Sequence, residues 1–212
     1  YLFLIFLTIS CSKSIDKPNL LFIIVDDLGW TDVSYNGSDY YETHNIDALS
    51  RNSMLFYNAY AASPVCSPTR ASIMTGKHNA RINITDWIPG LEESPNYNNK
   101  NKPIIGPKDL DELPLDEITI AEVLKDNGYK TFYSGKWHLG SKGHYPEDQG
   151  FDVNVGGFEK GSPMGGYYSP YKNPNLSDGP EGEYLTDRLT QETINFIDSS
   201  DDSKPFAAFL SF

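Results

Sequence analysis

The chain has 212 residues, a length that holds one α/β domain or part of a larger one. Hydrophobic residues make up 39% and aromatics 13%, enough for a packed core, which excludes wholesale disorder. Its 17 basic and 29 acidic side chains leave a formal net charge of −12, the wrong sign for a general nucleic-acid binder. Two cysteines, Cys11 and Cys66, cannot make a disulfide framework. No internal stretch reaches the roughly 20 apolar residues of a membrane-spanning helix.

Tyr1 opens an apolar run that continues to Ser10, too short to cross a bilayer and suited to the core of an export signal. No initiator methionine or basic segment precedes it, so the signal reads as truncated. Ser10-Cys11 resembles a bacterial lipoprotein cleavage site, with Cys11 as the lipid-bearing residue. Residues 1–18 are therefore expected to be export signal and linker. The protein is expected to be exported, and periplasmic or attached to the outer membrane if bacterial.

From Pro18 onward the chain reads as alternating strands and helices. The continuous apolar run at 19–25 suits a parallel strand covered on both faces. Residues 45–52 predict a short helix and 54–57 a strand. Ser67-Pro68 can open a helix, since proline is tolerated in the first turn, and that helix runs to Gly76. Residues 88–118, rich in Pro, Gly and Asn, read as an elaborated loop. Thr119 with Glu122 forms a capping-box pattern that opens a helix over 120–127, ended by Gly128. A strand follows at 129–133, then a long Gly-, Pro- and Tyr-rich loop over 143–182. Leu185, Leu189, Phe196 and Ile197 mark one face of a further helix. The run 205–212 reads as a buried strand, and its abrupt end suggests a C-terminally truncated fragment. The alternation predicts a mainly parallel sheet with helices on both faces. In such sheets ligands gather beyond the carboxyl ends of the strands. Asp26-Asp27 and the Lys136/His138 segment both follow strands, and Cys66 stands at a helix start, so all three should meet at one edge.

Two adjacent carboxylates, Asp26 and Asp27, suit a hard divalent cation, or alternatively a turn or helix cap. Cys66-Ser-Pro-Thr-Arg70, the following Ala71 to Gly76 segment, Gly135-Lys-Trp-His-Leu-Gly140 and the Asp187-Arg188 helix together resemble the type I sulfatases of the alkaline-phosphatase superfamily. The resemblance covers about 19–212, read as the N-terminal part of a sulfatase catalytic domain. It implies an alkaline-phosphatase-like α/β fold and hydrolysis of a sulfate ester, with a sulfated glycan as the expected substrate.

By the same resemblance, a formylglycine-generating maturation enzyme oxidises Cys66 to 3-oxoalanine (formylglycine), the nucleophile. Arg70 braces it, Lys136 binds sulfate, and His138 orients or deprotonates the nucleophile. Asp26, Asp27 and residue 66 hold a Ca²⁺ ion, with Mg²⁺ a lesser alternative. The remaining metal ligands, a second lysine and the leaving-group histidine have no counterpart before Phe212. In extended geometry Lys136 and His138 would point to one side and Trp137 into packing. Arg70, Lys77, His78, Arg81, Lys136, Lys142 and His144 cluster in sequence and could form a locally positive funnel. Tyr167, Tyr168 and Tyr171 are candidates to stack on a sugar ring. Two other readings remain open at this point: a phosphonate or phosphate monoester hydrolase of the same superfamily, and a glycan-binding lipoprotein that never matures.

Overall fold

The structure, a computed structural model, describes residues 17–89, 109–201 and 203–212. The expected leader, Cys11 and most of the expected 88–118 loop lie outside these residues. One sheet is formed by β1 (Leu20–Ile24), β2 (Lys130–Gly135), β3 (Val153–Val155) and β4 (Phe206–Ser211). Its order is β1-β4-β2-β3, and every neighbouring pair is parallel. Five α-helices accompany it among the described residues: α1 (His44–Ser50), α2 (Cys66–Thr75), α3 (Asn79–Ile82), α4 (Ile120–Asp126) and α5 (Leu185–Asp198).

Strand alternation decides how the helices are shared. On β4, Ala207 and Phe209 join Tyr133, Trp137 and Phe151 in a core closed by Ala71 and Met74 of α2 and Ala121 of α4. Ala208 and Leu210 point the opposite way, into clusters built with Phe196 and Leu189 of α5. The sheet therefore has helices on both faces, as the alternation predicts. Paired rings register each layer, Phe22 on Phe209 at 4.3 Å on one side and Phe132 on Phe196 at 4.4 Å on the other. The capping box at Thr119 and Glu122 is formed, and Asn127 caps α4.

Three expectations change. The run at 19–25 was expected to be covered on both faces. Leu20, Phe22 and Ile24 do pack on the core, but Leu21 and Ile23 stay 50% and 55% exposed. Helix α5 stands over β2 and β4 rather than over the outer strand β1, whose side chains on that face stay half open to solvent. Residues 54–57 are not a strand: Met54, Phe56 and Tyr57 are exposed and find no strand partner among the described residues. The expected loop 143–182 contains a 3-10 turn, Pro146–Gln149, and the short strand β3, paired with β2 at Phe132 to Ser134.

Parallel pairing sends the carboxyl ends of β1, β4 and β2 to one edge. Asp26 follows β1, Ser211 closes β4 and Lys136 follows β2, the placement expected for ligand-handling groups in an open α/β sheet.

Candidate active site

Cys66 is the first residue of α2, a free and half-buried thiol. Arg70 lies four residues further along the same helix, a spacing that puts both side chains on one face. The Arg70 guanidinium is buried and gathers the three strand ends. Its Nη1 donates to the Lys136 carbonyl oxygen at 2.5 Å and to Ser211 Oγ at 2.5 Å, while Nη2 is 3.4 Å from the Asp26 carboxylate. Lys136 Nζ forms a close ion pair with the same Asp26 oxygen. Burial pushes the Asp26 pKa upward, but the Lys136 ammonium and the Arg70 guanidinium more than offset it and hold the carboxyl below its ordinary range.

His138 stands on the next stretch of chain. Glycine at 135 (φ +99°) and His138 itself (φ +57°) take left-handed backbone, so the segment leaves extended geometry and the expected alternation does not apply there. Trp137 does turn into the core, edge-on to Tyr133 and Phe151. His138 Nε2 meets the Ile88 carbonyl, whose own N–H donates to Ser67 Oγ at 3.0 Å, beside Cys66. The imidazole is 3% exposed, and its Nδ1 has no hydrogen-bond partner among the described residues. Burial is the main cause that lowers its pKa from 6.5 to about 4. The Ile88 carbonyl opposes that, and the Lys136 and Arg70 charges add to it. At neutral pH the ring is uncharged and able to accept a proton.

A cavity of about 350 Å³ opens at this edge, bordered by Asp26, Asp27, Lys136, Ser211, Phe158, Lys160 and Tyr167 among others. Asp27, in left-handed backbone (φ +56°), lies on its wall. Asp26, Arg70 and Lys136 are thus in direct contact. Cys66 shares the helix of Arg70 but does not border this cavity, and His138 reaches the same helix start through Ile88.

The metal expectation fits only in part. Two neighbouring carboxylates suit a hard cation, yet among the described residues no three Asp, Glu, His or Cys side chains assemble into a cation site, so Asp26, Asp27 and Cys66 do not form one. Calcium takes roughly six to eight oxygen ligands, and Asp26 is already engaged by two cationic side chains. These residues alone do not make a metal centre.

The expected basic funnel is not present at the cavity. Lys77 pairs with Glu117 and His144 with Glu112, and of the named group only Lys136 borders the cavity. Of the three tyrosines, Tyr167 borders it, Tyr168 rests on Tyr184, and Tyr171 is buried as loop packing. Arg188 is spent on Glu183 and Glu192. Sequence reasoning missed Tyr133, Ser211 and Ile88, which hold the site residues. Only Ser211 carried a signal, its place at the carboxyl end of a strand.

Residues 18–212 match the family model described as Sulfatase. Arylsulfatase G of Homo sapiens is 36% identical over 169 residues, which is 79% of this chain and 29% of that relative. A solved structure of Ps i-CgsB in complex with k-i-k-neocarrahexaose superposes with a TM-score of 0.73 at 32% identity, covering 92% of this chain and 44% of that one. BT4656, solved with its substrate D-glucosamine-2-N,6-O-disulfate, gives 0.67 at 29% identity, covering 92% and 34%. The chain thus spans under half the length of these proteins. The match runs through the strand ends, the Cys66 helix and the segment after β2, and on it the chain belongs to the sulfatase family.

Proposed function

We propose that the complete gene product hydrolyses sulfate esters, with residue 66, oxidised from cysteine to formylglycine, as the nucleophile. The observation that carries this reading is the convergence on Arg70. One buried guanidinium on the Cys66 helix touches Asp26 after β1, the Lys136 carbonyl after β2 and Ser211 at the end of β4. Cys66 is unpaired and half-buried, open to an oxidising maturation enzyme. As its hydrate, the aldehyde supplies two hydroxyls on one carbon, one to take up sulfate and one to release it.

The chain's own groups serve that chemistry. The start of α2 turns free N–H groups and a positive dipole end toward an anion. Lys136 supplies the compact charge for a sulfate oxygen, exchanging its contact with Asp26 for the substrate. Arg70 braces the residue-66 side chain one turn away. His138, neutral and with Nδ1 unengaged among the described residues, takes or orients the proton of the attacking hydroxyl. Asp26 and Asp27 offer two carboxylates to a divalent cation, Ca²⁺ before Mg²⁺, which needs ligands beyond this set.

A sulfated glycan is the substrate class. BT4656 binds a disulfated glucosamine and Ps i-CgsB a neocarrahexaose. The cavity has the size of a small-ligand pocket, with Tyr167 available to face a sugar ring. The same reading keeps residues 1–18 as export leader and linker, Cys11 as a lipid-bearing residue, and 19–212 as the N-terminal part of the catalytic domain.

The test is turnover of aryl sulfate, phosphate and phosphonate esters by the gene product coexpressed with a formylglycine-generating enzyme, with peptide mass read at position 66. Sulfate hydrolysis should dominate, and the peptide should show sulfur and two hydrogens replaced by one oxygen. Cys66→Ala should lose at least about a thousandfold in kcat with an unchanged far-UV spectrum. Undiminished turnover by that variant, an active enzyme with an intact thiol, or preference for phosphate overturns the reading.

A further inference from the structure

Tyr133 and Ser211 are buried, uncharged, and bound to the Arg70 guanidinium and to the chain that carries Lys136. The Tyr133 hydroxyl donates to the Lys136 carbonyl oxygen at 2.5 Å and lies 3.4 Å from Arg70 Nη1. Ser211 acts twice. Its Oγ accepts from the same Nη1 at 2.5 Å, and its backbone oxygen accepts from the Lys136 N–H at 3.0 Å. One side of the guanidinium is therefore fixed by two hydroxyls and a peptide carbonyl, which directs Nη2 toward Asp26.

The ring that delivers the phenol is itself locked. Tyr133 lies edge-on to Trp137 at 5.1 Å and to Phe151 at 5.0 Å, and is stacked with Phe209 at 6.5 Å. The packed core thereby sets the position of the hydroxyl. Neutral acceptors suit this task. A carboxylate at either position would pair with Arg70 and compete with Asp26, whereas a hydroxyl holds the guanidinium without discharging it.

We propose that Tyr133 and Ser211 are positioning residues for sulfate-ester hydrolysis, a clamp that transmits the rigidity of the core to Arg70 and to the backbone of Lys136. The proposal rests on the reading in which Arg70 and Lys136 serve the residue-66 nucleophile. A loosened clamp misplaces groups that act on the reacting atoms, and shifts of about 1 Å can cost as much as a hundredfold in rate. Substrate capture, which also draws on the cavity walls, changes little.

The experiment compares Tyr133→Phe and Ser211→Ala with the wild type in the matured gene product, measuring kcat, KM and the thermal midpoint. Tyr133→Phe keeps the ring and its packing and removes one oxygen. Each variant should lose about tenfold in kcat with KM within about twofold, while the midpoint moves by only a few degrees. A purely structural role would lower the midpoint and leave kcat per folded molecule intact. Wild-type kcat in both variants, or an effect confined to KM or to the folded fraction, overturns the clamp. If Tyr133→Phe fails to fold, Ser211→Ala decides alone. A matured wild type without sulfatase activity instead overturns the functional reading on which the clamp rests.

Discussion

The buried imidazole of His138 makes stability depend on pH in a window of its own. In the folded chain its pKa is about 4, against 6.5 when unperturbed. The unfolded chain therefore takes up a proton below pH 6.5 that the folded chain refuses until about pH 4. Stability rises with pH wherever the unfolded state binds more protons, so this contribution is complete above 6.5 and is lost as pH falls toward 4. The gap of 6.5 minus 4, at about 1.4 kcal/mol for each pH unit, comes to between about 3 and 4 kcal/mol. At 3% exposure, little of this is screened by solvent. Asp26 and Asp152, whose pKa values lie below 3.8, lose their stabilising ionisation only at lower pH and so do not mask the window. The assay is urea unfolding at steps from pH 7.5 to pH 4.2 for the wild type and for His138→Gln, whose amide can still donate to the Ile88 carbonyl. The wild type should lose about 3 kcal/mol more than the variant across that range. Identical pH profiles would show that the imidazole is not held neutral by burial, and its assignment as proton acceptor would fall with it.

Two further substitutions probe the scaffold that positions the site. Position 135 combines a φ of +99° with a backbone approach so close that a Cβ would overlap the Ser211 carbonyl oxygen. Gly135→Ala should therefore cost at least about 3 kcal/mol, read as a lowered urea midpoint; a midpoint within error of the wild type would contradict the β2–β4 contact. Thr119 Oγ1 accepts from the Glu122 N–H at 3.2 Å and donates to the Gln149 carbonyl at 2.7 Å, tying the start of α4 to the turn before β3. Thr119→Ala should cost about 1–2 kcal/mol, and hydrogen exchange should quicken at the first turn of α4. Unchanged exchange there would show that the cap does not hold the helix start.

The parts of the fold that were legible in sequence are those with a local cause. The apolar runs at 19–25 and 205–212 became β1 and β4, and Thr119 with Glu122 announced α4 through a three-residue spacing. The spacing of Leu185, Leu189 and Phe196 marked the buried side of α5. Failures came where the deciding partner was remote or the element too short. Met54 to Tyr57 have strand-like side chains but no neighbouring strand among the described residues, and β3 has three residues inside a Gly-rich stretch. At the site, motifs pointed to Cys66, Arg70, Lys136 and His138. Their supports did not show, because Ser211 is 141 positions from Arg70 and Ile88 is 50 from His138. Such pairings are set by topology, and no local pattern records them. The basic stretch around 77–81 misled for the opposite reason: in the fold Lys77 is claimed by Glu117, an acid 40 positions along.

Spatial order in the sheet runs against the order of synthesis. β4 is made last of the four strands, yet it sits between β1 and β2, pairing with both along their length. Until it inserts, β1 has no partner among the described strands, and the edge where Asp26, Arg70 and Lys136 meet lacks its middle. A nascent chain must hold an apolar first strand unpaired through about 180 residues of elongation, the kind of non-local pairing that slows folding and exposes strand edges to aggregation. Assembly of the edge that carries Asp26, Arg70 and Lys136 therefore waits for β4, and protection by a chaperone would matter most before residues 206–211 leave the ribosome.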